Sequence, residues 1–471
     1  MRRVAILLSF AALLAMPLLL GAGANSPMPE VFVVNTAADH DDGSCDSSDC
    51  TLREAISASN ANPGVDHIHF SIPGTTVHTI TPGAELPEIT DPVIIDGSSQ
   101  PGFAGAPRVE VAGSAASSRA RGLFISAGGS TIKHLAINRF SSAQIMLSAN
   151  GGNVIQGNNL GTDPTGTVDY GGSIGNDSSH GLVIEGSSAN LVGGPDRGDG
   201  NIIAFNTSAG VLITGGGSVG NAILSNSIHS NGGLGIDLSE TASGGPPDGV
   251  TPNEGCDGDE GPNRLQNFPE LTSARTNGVT ITISGVLPGT AATTHTIQFF
   301  SSDEFDFTGF GEGRTFLGST TAADDKEHPC FIEYEVTLPF FAFTGQVITA
   351  TATDPDGNTS EFARYLEIVE ESTFDSCIQD GSNGSVLLFD SETGDYQFSD
   401  CDGFLLSGRG TLARRGGTIT LQHNAPDRRI SARLDGAVRR ATASVQSFAH
   451  AKSFALVDKN TGDNTCACSE E

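Results

Sequence analysis

Tryptophan is absent from the 471 residues, tyrosine and methionine occur four times each, and 24 basic residues face 55 acidic ones, for a formal charge of −31. The scarcity of Lys and Arg excludes a surface built to contact phosphates, so no nucleic-acid partner is expected. The scarcity of Trp and Tyr removes the rings on which sugars usually stack and weakens a carbohydrate-binding role. No apolar run beyond residue 20 is long enough to span a bilayer, so the mature chain should hold no transmembrane segment. Zinc is the weaker reading even for Cys466 and Cys468, because the two-residue spacings and clustered histidines of common zinc sites are missing. What is abundant is glycine, 60 residues, with enough Val, Ile, Leu and Ala for a core. This composition points to a turn-rich β protein rather than a helical bundle or a disordered chain.

Residues 1–24 read as a signal peptide: Arg2 and Arg3, an apolar run from Val4 to Leu20, then Ala22-Gly23-Ala24 as a cleavage site. A secreted or cell-envelope product is expected, and the even count of eight cysteines fits an oxidising compartment. Cys45 and Cys50 are close in sequence, Cys256 and Cys330 flank the middle of the chain, and Cys377, Cys401, Cys466 and Cys468 are expected to staple a small C-terminal domain. All eight are disulfide candidates, and spacing leaves the pairing of the last four open.

Internal repeats indicate the fold of the first half. Gly122-Leu123-Phe124-Ile125 recurs as Gly181-Leu182-Val183-Ile184, Gly210-Val211-Leu212-Ile213 and Gly235-Ile236-Asp237-Leu238, with aliphatic residues one and three places after each glycine. Period two is the signature of a strand that buries one face. A second register aligns Asn153, Asn201 and Asn221, with Ile155, Ile203 and Ile223 two residues on and Asn158, Asn206 and Asn226 five on. Such units cannot bury their apolar face alone and stack into a solenoid. A right-handed parallel β-helix over 65–245 is expected, with its asparagines stacked as structural ladders that tolerate left-handed backbone. The segments 161–180 and 195–200 should project as loops.

A solenoid end needs a cap. Within residues 25–64, Thr51 and Glu54 form a capping box for a helix whose apolar face is Leu52, Ala55 and Ile56, pinned by a Cys45–Cys50 disulfide. The string Cys50-Thr51-Leu52-Arg53-Glu54-Ala55, after Val33-Val34-Asn35-Thr36, resembles the N-terminal CSLREA-type motif of bacterial secreted β-helix proteins. Asn153-Val154-Ile155-Gln156-Gly157-Asn158, the 161–166 loop and Asn190-Leu191-Val192-Gly193-Gly194 are similar to that group as well. The resemblance implies a pectin-lyase-like fold and an extracellular setting. It supplies no catalytic residues, because the family has no settled activity.

Residues 246–264 read as an acidic linker in which Asp257, Asp259 and Asn263 resemble part of a calcium loop, although the downstream bidentate Glu is missing. Residues 265–370 alternate as an immunoglobulin-like β-sandwich, and 371–471 as a small cysteine-rich β domain. The fold class expected is therefore all-β. A hydrolase on such a coil needs paired acids on adjacent rungs, which makes Asp237 with Asp196 or Asp199 the catalytic candidates. Most other acids of the coil stand beside Gly or Pro, where Asp is an ordinary turn residue. The leading expectation is a non-catalytic scaffold or adhesin whose partner is an extracellular polysaccharide or a surface protein. The alternative is a carbohydrate-active lyase or hydrolase. Calcium is the only cofactor suggested.

Overall fold

Strands here are short because apolar alternation is short: Val154–Gln156, Leu191–Gly193 and Ala222–Leu224 are three residues each, bounded by Asn, Gly and Ser. The structure is a computed structural model that describes residues 28–170, 179–196, 198–241, 248–289, 293–323, 330–339 and 345–370, together with the backbone of eight strands between 376 and 458. The first half consists of parallel strands in seven-, six- and five-stranded sheets that the chain visits in rotation, an arrangement compatible with a β-helix. One circuit, for example, runs through Leu191–Gly193, Ile202–Ala204 and Val211–Thr214.

Registration is strict because one inward residue per strand stacks on its counterpart. In the seven-stranded sheet the row is Phe32, Ile68, Ile95, Ile132, Ile155, Val192 and Ile223. In the six-stranded sheet it is Ile80, Val111, Ile137, Leu160, Ile203 and Ile228. The glycine-led strings supply the five-stranded sheet, where Leu123, Ile145, Leu182, Val211 and Ile236 form one row and Ile125, Leu147, Ile184, Ile213 and Leu238 another. These side chains share one buried core. Each contributes about 1.5–3 kcal/mol relative to exposure, but only while the next circuit covers it.

The strings conceal one rung. Ala143–Ser148 pairs between Arg121–Ile125 and His180–Glu185 and carries Gln144 where its neighbours carry Gly122 and Gly181. Glycine is required at 181 because a Cβ there would overlap the Ile203 side chain and stand 2.6 Å from the Gly210 carbonyl oxygen.

At the N-terminal end, Val31–Val34 opens the seven-stranded sheet and the helix Leu52–Ala61 buries Leu52, Ala55 and Ile56 in the common core. The capping box forms: Thr51 Oγ1 accepts from the Glu54 N–H at 3.2 Å, and Glu54 Oε2 accepts from the Thr51 N–H at 2.8 Å. Glu54 is thereby buried, while Arg53 pairs with Asp39 and the carbonyls of Ala84 and Glu85. Cys45 and Cys50 are disulfide-bonded, as are Cys256 and Cys330.

Beyond the coil, two four-stranded sheets enclose a second core. One contains Glu270–Thr276, Thr280–Pro288 and Phe331–Pro339, and the other Thr294–Ser302, Thr315–Ala323 and Val347–Thr353. Leu265, Phe300 and Phe362, from beyond the coil's last strand, join the coil's core. A second compact unit holds eight antiparallel strands, Ser376–Asp380 to Ser453–Asp458, paired in chain order with the first also bonded to the last. The signal-peptide reading of 1–24 and the pairing of Cys377, Cys401, Cys466 and Cys468 lie outside the described residues. No helix among the described residues is long and apolar enough to cross a membrane.

Candidate functional site at the end of the coil

The asparagines stack, but in three ladders rather than the register read from sequence. Asn153, Asn190 and Asn221 form the first: the Asn190 oxygen accepts from the backbone and side-chain amides of Asn153, and the Asn221 oxygen from those of Asn190, at 2.7–3.2 Å. Asn158, Asn201 and Asn226 form the second. Asn206 and Asn231 form the third, entered by Gln144, whose amide donates to Asn206. Asn201 and Asn206 therefore sit one corner away from the positions assigned by alignment with Asn153 and Asn158. The backbone corrects a second expectation: the left-handed residue is not the asparagine but the one before it, as at Gly157, Phe205, Ser225 and Ser230. The ladder bonds hold the corner so firmly that even Phe205 is kept at φ 63°.

Every ladder and sheet of such a coil ends in unpaired donors unless something closes it. Side chains and backbone from later in the chain do so here. Asn263 extends the first ladder, its oxygen accepting from the Asn221 N–H at 2.9 Å and its amide donating to the Asn221 and Thr359 carbonyls. Glu312 extends the third, accepting from the Asn231 backbone and side-chain amides at 2.8–3.2 Å. At the second corner the Gln298 oxygen accepts from the Ser225 N–H. The last strand of each sheet is met as well: the Ile223 N–H donates to Thr359 Oγ1, the Ile228 N–H to the Gly313 carbonyl, and the Leu238 N–H to Glu361 Oε1.

This closure gathers carboxyls in a dry place. Burial pushes Glu361 up to about 8, with the charges of Asp237 and Asp248 adding to it. Burial likewise pushes Asp237 up to about 7, helped by Asp248, and Asp237 Oδ1 has no hydrogen-bond partner. Asp237 is the last member of an outward row, Phe124, Met146, Val183, Leu212 and Asp237. The earlier members of the row form an apolar strip, whose Val183 and Leu212 are buried in a small cluster of their own.

A pocket of about 260 Å³ opens at the same end, between His229 and Ser230 of the last circuit and the 302–314 segment of the following module. Glu312 lines it, raised to about 7 by burial and by Asp306. His229 lines it as well, held neutral because burial and then Arg314 lower it to about 4. Asp303, Glu304 and Asp306 complete an acidic wall, with Arg314 4.0 Å from Asp303.

The sequence candidates distribute as follows. Asp196 and Asp199 lie in the turn after Leu191–Gly193 of the seven-stranded sheet, whereas Asp237 lies in the five-stranded sheet beside Asp248 and Glu361. The acid partners of Asp237 are thus residues that sequence spacing did not single out. Of the coil's acids that stand beside Gly or Pro, Asp163 accepts from Thr165, Thr167 and Val168 within its own turn. Of the calcium candidates, Asn263 is committed to the ladder and buried, and Asp257 accepts from Gln266 at 2.5 Å and is raised to about 7 by burial, with Glu254 adding. Among the described residues, no group of three His, Cys, Asp or Glu side chains is placed to hold a metal ion. A lone Glu in a β segment carries no sequence pattern, so nothing marks Glu312 or Glu361 before the chain folds. No protein-family model matches the chain, and no curated protein is similar to it at a significant level.

Proposed function

We propose that the chain is a secreted, non-catalytic scaffold or adhesin: a right-handed, pectin-lyase-like β-helix with a CSLREA-type N-terminal cap, continued by an immunoglobulin-like sandwich. The observation that carries this reading is the closure of the coil, in which Asn263, Glu312, Glu361 and Thr359 act as the next rung. Two modules joined through shared core residues and ladder bonds make a stiff element suited to presenting a surface. The two disulfides and the absence of a membrane-spanning helix among the described residues support an extracellular setting.

A carbohydrate-active enzyme is the second reading, favoured by one observation: Glu312, a carboxyl raised to about 7, stands in a pocket with Asp303 and Asp306. Glycoside hydrolysis needs such an acid opposite a second carboxylate. Against it, both oxygens of Glu312 are engaged by Asn231. The test is to incubate oxidised mature protein with a polysaccharide panel, with and without calcium, measuring bound protein and new reducing ends. Release of ends that is lost in Glu312→Gln or Asp237→Asn would replace the scaffold with an enzyme. Binding without release supports the scaffold.

A further inference from the structure

We infer that the pocket at the end of the coil is a recognition subsite for the protonated amine of an aminohexose on an extracellular glycan. This rests on the adhesin reading and gives it a ligand class.

The charge balance selects a cation. Among the described residues lining the pocket, Arg314 is the one cation beside the neutral His229, and it is matched by Asp303, which also accepts from Gln346 at 2.8 Å. Asp306 uses Oδ1 on the Thr308 turn, and among the described residues its Oδ2 has no partner. Glu304 makes no hydrogen bond or ion pair among the described residues. A uronate or any other acidic sugar meets repulsion here, and an ammonium meets the Glu304 carboxylate and the second oxygen of Asp306.

Size and polar groups favour a sugar ring over a basic side chain. About 260 Å³ is below the roughly 300–1,000 Å³ of sites for drug-sized ligands, which fits a single ring. His229 is only 8% exposed, its ring held by the edge of Phe205 at 5.7 Å and its Nδ1 by Ser230 Oγ at 3.1 Å. Its other ring nitrogen has no hydrogen-bond partner among the described residues, and His229 lines the pocket, where a sugar hydroxyl can bond it. Phe305, 54% exposed and braced by Tyr365 at 4.8 Å, offers an apolar face for the ring's C–H groups. A phenylalanine platform thus stands where the scarcity of Trp and Tyr argued against one.

The experiment is calorimetric titration of the mature, oxidised full chain near pH 6 at roughly 0.15 M salt, where exposed charges beyond about 8 Å are screened. The probes are a glucosamine trimer, an N-acetylglucosamine trimer, a galacturonate trimer and trilysine. The glucosamine trimer should bind best. Glu304→Gln should weaken it about tenfold, the effect of one charge-assisted hydrogen bond, and Phe305→Ala should weaken it too. Glu240→Gln, which removes an exposed acid outside the pocket, should leave binding unchanged. Equal weakening by Glu240→Gln, no binding, or binding indifferent to Glu304 overturns the subsite. Tighter binding of trilysine that depends on Glu304 replaces the glycan with a basic protein partner. Polysaccharide binding elsewhere on the chain overturns this subsite but leaves the adhesin. New reducing ends appearing from the glucosamine trimer end the adhesin reading and keep the ligand class.

Discussion

Asn201 accepts from the backbone and side-chain amides of Asn158 and donates to the Ile155 carbonyl and to Asn226, all with no exposure to solvent. Asn201→Ala therefore strands donors on one side and acceptors on the other, at about 1–3 kcal/mol for each buried group left unpaired. A loss of at least about 2 kcal/mol is expected in denaturant titrations, against less than about 1 kcal/mol for Asn150→Ala, whose single bond to the Ser126 carbonyl is exposed. Equal losses would mean that the ladder is not what holds the corner. Asp237 is the opposite kind of residue, a buried carboxyl with an unpaired oxygen. Its value in the folded protein, about 7, lies above the unfolded value of about 4. The folded state thus keeps a proton that the unfolded chain releases, and the stability cost grows as pH rises through that window. Asp237→Asn should leave stability unchanged below pH 4 and raise it at pH 8, which thermal unfolding at the two pH values reads directly.

At the scale of elements, the last circuit depends on residues far along the chain. Asn263 is 42 positions from the Asn221 it closes, Glu312 is 81 from Asn231, and Glu361 is 123 from Leu238. Asn263→Ala should raise hydrogen exchange at Asn221 and its neighbours in the last circuit while the helix-capped N-terminal end stays protected, and calcium should not restore protection. Restoration by calcium would return Asn263 to a cation loop. These separations also explain what could be read from sequence. The glycine-led strings announced the five-stranded sheet because strand alternation and a Cβ-free position recur together. The rung Ala143–Ser148 was hidden because Gln144 replaces the glycine. The asparagine register slipped because each circuit repeats the same Asn spacing at successive corners, so Asn201 matches Asn153 in pattern and Asn158 in space. The helix cap was legible because Thr51 and Glu54 are local to each other. The closing side chains were not, since nothing periodic marks a single Glu or Asn that meets its partner only after folding.

Across the whole molecule, the same closure sets how stability follows pH. Asp237, Asp257 and Glu312 at about 7 and Glu361 at about 8 are all raised chiefly by burial, and they belong to the end of the coil, the segment leading from it or the module that closes it. Their unfolded values lie near 4, so their contribution declines as pH rises from there to about 8. His180 and His229 run the other way. Burial lowers both to about 4, below the unfolded value of about 6.5, so the unfolded chain binds protons that the folded one refuses and stability recovers as pH rises to about 6.5. The two sets oppose each other below about 6.5, and only the carboxyls still titrate above it. The unfolding temperature of the mature protein should therefore fall between pH 6.5 and 8.5, and fall less in a Glu312→Gln, Asp237→Asn double variant. Glutamine at 312 keeps an oxygen for Asn231 and so preserves the ladder while removing the charge. A flat profile over that range, or one unchanged in the double variant, would show that these carboxyls are ionised and solvated in the folded chain, and that the coil is closed less tightly than the bonds to Asn231 and Leu238 require.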